Sequence, residues 1–216
     1  NFRLRFMTSH PKDFNEEVVK VMAKHRKICR LVHLPVQSGS DKILKAMNRR
    51  YTCGQYLEEV KLLRSYFPEA ELTTDIIVGF PGETEEDYLA TERLVREADF
   101  ASAFTFVYSP RTGTKAASMP DQIPESVQKD RIMRLVELVN SLTRKKSEKY
   151  LGKTVEILCE DYDKKKGLYL GRDEFGRMGY FKSETNRIGD FVNLKITQAN
   201  GISLFGETAE KENKEI

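Results

Sequence analysis

The feature that most limits how this chain can fold is a change of pattern near Gly152. Before it, apolar runs of strand length alternate with stretches whose apolar residues recur every three or four positions. After it, only short strand-like runs remain, each bounded by turn residues. Two different architectures are therefore expected within the 216 residues.

In the first part, residues 4–7, 31–36, 72–78 and 103–108 read as strands. Between them lie helical stripes: Val18, Val19, Met22 and Ala23; then Ile43, Leu44 and Met47; then Tyr56, Leu57, Val60, Leu63 and Tyr66; and a helix starting at Thr84. Asp13 or Asn15, Ser40, and Thr84 with Asp87 are the expected caps. Strands joined by helix-length crossovers give an α/β fold, a parallel sheet with helices outside. A loop over 110–124 leads to a long helix that ends near Tyr150, its stripe formed by Ile132, Leu135, Val136, Leu138, Val139 and Leu142. Five short runs follow, at 154–159, 167–171, 179–181, 191–196 and 202–205, and predict a small closed β-barrel. The expected division is 1–150, 151–207 and a charged tail at 208–216. With 4–7 as an uncovered edge strand, association in solution is expected.

Charge is uneven. Residues 1–50 hold 12 Lys/Arg against 4 Asp/Glu, residues 51–123 hold 6 against 13, and residues 151–207 hold 9 of each. A local basic face is thus compatible with a net charge of +3. No apolar run approaches the roughly 18 residues of a spanning helix, and residues 1–10 lack the apolar core of a signal peptide. The expectation is a cytoplasmic protein with no membrane partner. Cys29, Cys53 and Cys159 share no ligand spacing, which predicts neither a disulfide framework nor a metal site.

Ligands of parallel α/β sheets sit at the C-terminal ends of the strands. Four polar or glycine-rich loops fall there: 8–11, 35–40, 79–83 and 109–110. The most specific stretch runs from Asp75 through Ile77, Gly79, Phe80, Pro81, Gly82 and Glu83 to Thr84. It joins a buried strand, a glycine turn and a helix start with free N–H donors.

Together with His33-Leu34-Pro35-Val36-Gln37-Ser38-Gly39-Ser40, Met47-Asn48-Arg49, and Phe106-Val107-Tyr108-Ser109-Pro110-Arg111-Thr112-Gly113-Thr114, that stretch closely resembles the radical-SAM methylthiotransferases. Met119-Pro120-Asp121-Gln122 and Thr8-Ser9-His10-Pro11 resemble the tRNA branch. The likeness runs from Arg3 to Glu207 and implies the last four strands of a partial radical-SAM barrel, followed by a TRAM domain, a small OB-like β-barrel that binds RNA. It implies an enzyme that adds a methylthio group to C2 of an N6-isopentenyladenosine beside the anticodon. S-adenosylmethionine and two 4Fe–4S clusters would be its cofactors. The tRNA anticodon stem-loop and the N-terminal part of the same enzyme would be partners.

The cluster-binding cysteine motif is absent here, so no catalytic residue and no metal ligand is assigned, and this chain alone is expected to be inactive. By position in the family pattern, Gln37 and Ser38 would face the ribose or methionine end of the cofactor. Asp75, Ile77 and Gly79 would lie along its adenosine side, with Val107 and Tyr108 beside the adenine; residues such as Ile77 and Val107 are more often plain core, and the alternative for Tyr108 is a cap on that core. For RNA, Lys164, Lys165, Lys166, Arg172 and Arg177 are the candidate cations and Tyr169 or Phe175 the stacking rings. A solvated turn is the alternative for the lysines. Two other readings stay open: a stand-alone RNA-binding protein, and a sister enzyme acting on an Asp of a ribosomal protein.

Overall fold

In the computed structural model, residues 2–6 and 10–209 are described. Asn1, Met7, Thr8, Ser9 and the tail from residue 210 lie outside them.

Three strands form the first sheet: β1 (Leu31–His33), β2 (Glu71–Val78) and β3 (Ser102–Val107), all parallel in the order β1-β2-β3. Helices α1 (Glu16–Lys24), α2 (Asp41–Ala46), α3 (Cys53–Tyr66) and α4 (Glu85–Ala98) make the crossovers. Their starts follow side-chain chemistry. Asn15 caps α1, Ser40 caps α2, and Thr52 and Thr84 close full capping boxes with Gln55 and Asp87. The apolar stripes meet in one core that includes Val19, Leu34, Leu44, Tyr56, Leu63, Leu72, Ile76, Tyr88 and Leu94.

Two expectations about strands change. The run over 4–7 contributes one parallel bridge, Leu4 to Ile28, and no strand among residues 2–6. Leu4 exchanges single hydrogen bonds with Lys27 and Cys29. Its neighbours Arg3 and Arg5 turn to the second domain instead: Arg3 reaches the Arg172 carbonyl at 2.6 Å, and Arg5 reaches the Asp173 carbonyl at 2.6 Å. The run over 31–36 ends as a strand at His33, since Pro35 has no N–H to donate. The Thr74 hydroxyl serves that irregular stretch by accepting from the Val36 N–H and donating to the Leu34 carbonyl, both at 2.9 Å. Tyr56 and Tyr51 donate their hydroxyls to the Leu34 and Val36 carbonyls.

Helix α5 (Glu125–Glu148) packs Leu135, Leu138 and Val139 into the same core. Strands β4 (Thr154–Asp163), β5 (Leu168–Arg172), β6 (Met178–Phe181), β7 (Phe191–Asn200) and β8 (Ser203–Thr208) then close a barrel in the order β4-β5-β6-β8-β7. Its pairs are antiparallel except β6 with β8. Ile157, Cys159, Phe181, Val192, Leu194, Ile196 and Leu204 fill it. The fold class is thus α/β with a second, all-β barrel.

The barrel sits directly on the α/β part. Arg177, 2% exposed, pairs with Glu71 at the start of β2 at 2.9 Å and lies over the Tyr150 ring at 4.6 Å. The other Glu71 oxygen faces Lys146 of α5 at 3.4 Å. Arg3 and Arg5 add pairs with Glu156 and Glu160. The Gly152 N–H donates to the Ile196 carbonyl, so helix and barrel join without a free linker.

Candidate functional site

A cleft of about 1070 Å³ opens at the C-terminal ends of the strands. The register explains which side chains face it. Asp75 lies opposite Phe104 and Ile77 opposite Phe106, so alternate residues of β2 and β3 share one surface. Phe104 and Phe106 are 58% and 51% exposed there.

Of the expected cofactor residues, Gln37, Asp75, Ile77, Val107 and Tyr108 line the cleft together; Ser38 and Gly79 do not. Ser38 is fully buried, and its hydroxyl accepts the Ser40 N–H. It shapes the loop from inside. Gly79 has φ +73 and lies under the Gln128 side chain, which donates to the Gly79 carbonyl at 3.2 Å. A Cβ at Gly79 would stand 2.5 Å from Gln128 Cγ. That glycine serves the turn and its cover.

Gln37 has φ +74, a left-handed backbone that costs a non-glycine residue about 1 kcal/mol or more. Hydrogen bonds on both sides hold it: its N–H donates to the Asp75 carbonyl at 2.8 Å, and its carbonyl accepts the Ile77 N–H at 2.9 Å. The chain thus rejoins β2 after Pro35 and points the Gln37 amide into the cleft. Next to it, a Cβ on Gly39 would lie 2.4 Å from Thr91 Cα, so only glycine lets this loop meet α4. Ser40 donates to Asp87 at 2.7 Å, and Lys42 pairs with the same carboxylate. Burial pushes Asp87 up, but Lys42, Ser40 and Thr84 outweigh it and hold the carboxyl well below its usual range.

The Gly79 turn is clamped by Glu83, which the sequence placed in this loop without a role, and by Arg131, which it did not mark. Glu83, fully buried, accepts the Gly79 N–H at 2.7 Å and pairs with Arg131 of α5 at 2.8 Å. Burial raises the Glu83 pKa, while the Gly79 N–H and Arg131 oppose that rise. The available signal was an arginine on the apolar stripe of α5, four residues before Leu135; a buried arginine requires a buried partner.

Asp75 faces His33 at 3.5 Å, and the His33 ring meets Phe104 edge-on at 5.9 Å. Tyr108 packs edge-on against Phe80, with its hydroxyl shielded from solvent and without a hydrogen bond among the described residues. Asn48 at φ +58 stops α2: its N–H donates to the Lys45 carbonyl and the Arg49 N–H to the Leu44 carbonyl. That stop turns Arg49 to the cleft mouth, where Lys45, Arg111 and Lys115 also lie.

The barrel residues divide. Lys164, Lys165 and Lys166 are exposed on the β4–β5 turn. Asp163 accepts the Lys165 and Lys166 N–H groups, and its carboxylate lies 3.7 Å from Lys166 Nζ. Tyr169 packs between Tyr162 and Phe181, with ring centroids 4.8 and 5.8 Å away. Arg172 is exposed and paired with Glu160 at 2.9 Å. Arg177 is a correction: it is buried against Glu71 and Tyr150 and cannot reach RNA. Phe175 is half-buried and lines the groove towards Arg64, Glu71 and Lys149, away from the lysine turn. Tyr162 and Tyr180, not singled out from the sequence, lie beside them; Tyr180 stacks on Phe205 at 5.0 Å, with Lys166 over its ring at 5.2 Å.

Among the described residues, no group of three or more His, Cys, Asp or Glu is placed to hold a metal ion. Burial raises the thiol pKa of Cys29 and Cys159, and that of Cys53 to about 12. Thiols of this kind do not fit a cluster that needs thiolates. Among the described residues, no helix is long and apolar enough to cross a membrane.

A parallel sheet with a cleft at its strand ends, joined to a closed β-barrel, defines a class. Residues 1–95 match the Radical SAM superfamily and residues 148–209 match the TRAM domain. The fold also resembles coproporphyrinogen III oxidase from Escherichia coli, described as a radical SAM enzyme, with TM-score 0.55 and 15% identity over 89% of this chain and 46% of that one. The chain thus joins a segment similar to the Radical SAM superfamily to one similar to the TRAM domain. Its curated relatives are more particular. It is 50% identical over 206 residues to tRNA-2-methylthio-N(6)-dimethylallyladenosine synthase of Clostridium botulinum (strain Langeland), covering 95% of this chain and 46% of the relative. The proteins of that name from Caldicellulosiruptor saccharolyticus and Thermoanaerobacter are 48% and 47% identical, over 95% and 96% of this chain and 44% of each relative. The chain thus spans about half the length of these relatives and matches their C-terminal part.

Proposed function

We propose that this chain is the cofactor-rim and RNA-binding portion of a radical-SAM tRNA methylthiotransferase, whose substrate is the N6-dimethylallyladenosine beside the anticodon. The division into a barrel part at 1–150, an RNA-binding TRAM part at 151–207 and a tail at 208–216 belongs to this reading, as does a cytoplasmic setting. The observation that carries it is the cleft, where a left-handed Gln37, Asp75 and Tyr108 converge with the apolar Ile77 and Val107.

These residues fit S-adenosylmethionine. Asp75 accepts hydrogen bonds from hydroxyl or ammonium donors, Gln37 offers both an acceptor and donors, and the shielded Tyr108 hydroxyl has hydrogen-bonding capacity to spare. Ile77, Val107 and Phe106 give a flat heterocycle apolar surface. The bound cofactor supplies the hydrogen-abstracting radical and the methyl group. The residues of this chain bind and orient it and keep water from it. The two 4Fe–4S clusters belong to the parent enzyme in this reading; the cysteines here do not fit them, and no step is assigned through them. On the barrel, Lys164, Lys165, Lys166, Tyr169 and Arg172 are proposed RNA contacts.

Titration of the chain with S-adenosylhomocysteine by calorimetry tests the cofactor rim. Binding is expected, with Asp75→Asn weaker by about tenfold, the worth of one lost charge-assisted hydrogen bond. No binding to the wild-type chain would remove the basis of the proposal.

A further inference from the structure

The barrel cations assigned to RNA are largely engaged within the protein. Arg177 pairs with Glu71, Arg172 with Glu160, and Lys166 with Asp163. Residues 151–207 carry no net charge. The cleft mouth is different. Lys45, Arg49, Arg111 and Lys115 line it, and Asp75 is the acid among the lining residues. Among the described residues, none of those four cations is paired with a carboxylate; Arg49 faces the His10 ring at 3.2 Å. Lys45 and Arg49 come from the end of α2 and the turn after it, Arg111 and Lys115 from the segment after β3. Two segments lining the cleft thus carry cations that no carboxylate of the described residues neutralises.

The same cleft is lined by flat, apolar groups: Phe106, half-exposed, and the packed pair Phe80 and Tyr108. A cleft of about 1070 Å³ stands at the upper end of small-ligand sites, which run to roughly 1,000 Å³. It has room for a cofactor and for one base turned out of a stack. Cations from two segments and aromatic rings lining one cleft suit a single strand held by its phosphates on the cations with one base against the rings.

We infer that Lys45, Arg49, Arg111 and Lys115 form a phosphate clamp at the cleft mouth, and that this clamp, rather than the β4–β5 lysine turn, carries most of the electrostatic grip on the RNA strand. This deepens the proposed function and rests on it.

The test measures binding of a short RNA hairpin with a single-stranded loop to the full chain at increasing KCl. Compared are wild type, the triple variant Lys45→Ala, Arg111→Ala, Lys115→Ala, and the triple variant Lys164→Ala, Lys165→Ala, Lys166→Ala. The clamp variant should bind at least about tenfold more weakly at low salt, with a log–log salt slope shallower by about two, since each single-strand phosphate contact contributes about 0.7. The turn variant should change the slope by less than about one. Arg111→Glu alone, read with a thermal melt, should weaken binding without lowering the melting temperature. If wild type binds and the clamp variant matches it, or if the turn variant takes most of the slope, the clamp is wrong and the RNA role stands. If the clamp variant loses affinity for S-adenosylhomocysteine and keeps the RNA slope, the cations serve the carboxylate of the cofactor and the inference falls. If wild type binds no hairpin even at low salt, the RNA role of this chain falls and takes the clamp with it.

Discussion

Gln37 stands where an L-residue is least comfortable, and its two backbone bonds to β2 keep it there. Gln37→Gly relieves the left-handed strain and adds freedom to the unfolded chain. The two effects nearly cancel, leaving stability within about 1 kcal/mol of wild type by urea unfolding. Affinity for S-adenosylhomocysteine should nevertheless fall severalfold, because the amide is gone. A large loss of stability instead would mean that the side chain holds the loop. Asp173 gives a pH prediction. Burial raises its pKa from 3.8 to about 6, against the pull of the Arg177 N–H and charge and the Phe175 N–H. The folded state therefore favours the protonated acid. Its contribution is full below 3.8 and is lost as pH rises to about 6. Asp173→Asn keeps an oxygen for the two N–H groups it accepts. It should flatten that decline by on the order of 2 kcal/mol, seen in melting temperatures across this range. An unchanged pH profile would place the titration elsewhere.

At the scale of elements, the contact between β2, α5 and the barrel rests on a small polar network. Removing Arg177 leaves Glu71 buried beside Lys146 alone. Arg177→Ala should cost about 3–5 kcal/mol, as breaking a buried pair does. Urea unfolding should then show the barrel and the α/β part melting apart. Arg177→Met with Glu71→Met should recover much of the loss; a single unchanged transition in Arg177→Ala would show that Arg3 and Arg5 hold the contact unaided. The elements themselves were readable from the chain. Apolar period and caps placed α1 to α5 and all five barrel strands to within a few residues, because both signals are local. What could not be read was pairing at a distance. Nothing near Arg177 in sequence announces Glu71, 106 residues away, so it passed for a surface cation. Residues 4–7 looked like a strand because nothing local shows that Arg3 and Arg5 reach for the barrel. Five of the seven expected cofactor residues line the cleft, since strand ends and turn glycines fix that rim locally. Ser38 and Gly79 lie beneath it, their depth set by α4 and α5.

For the whole molecule, the sheet is open. β1 and β3 are both edges, and β3 leaves Phe104 and Phe106 more than half exposed beside it. An exposed apolar face of this kind associates. The chain should show concentration-dependent oligomers by light scattering at tens of micromolar, and Phe104→Ser with Phe106→Ser should shift it to monomer; a monodisperse wild type would contradict this. The seam between helix α5 and the barrel has a different kind of consequence. Tyr150, Gly152 and Lys153 bond straight into the turn and β7, and the salt bridges behind them leave no slack. In rotational diffusion the molecule should behave as a single rotor, with one correlation time for backbone amides of α4 and of β7. Genetic exchange is constrained in the same way. A barrel grafted from another protein that brings no arginine where Arg177 stands would leave Glu71 without that partner, so an exchange at this seam succeeds best when both sides of the pair are changed together.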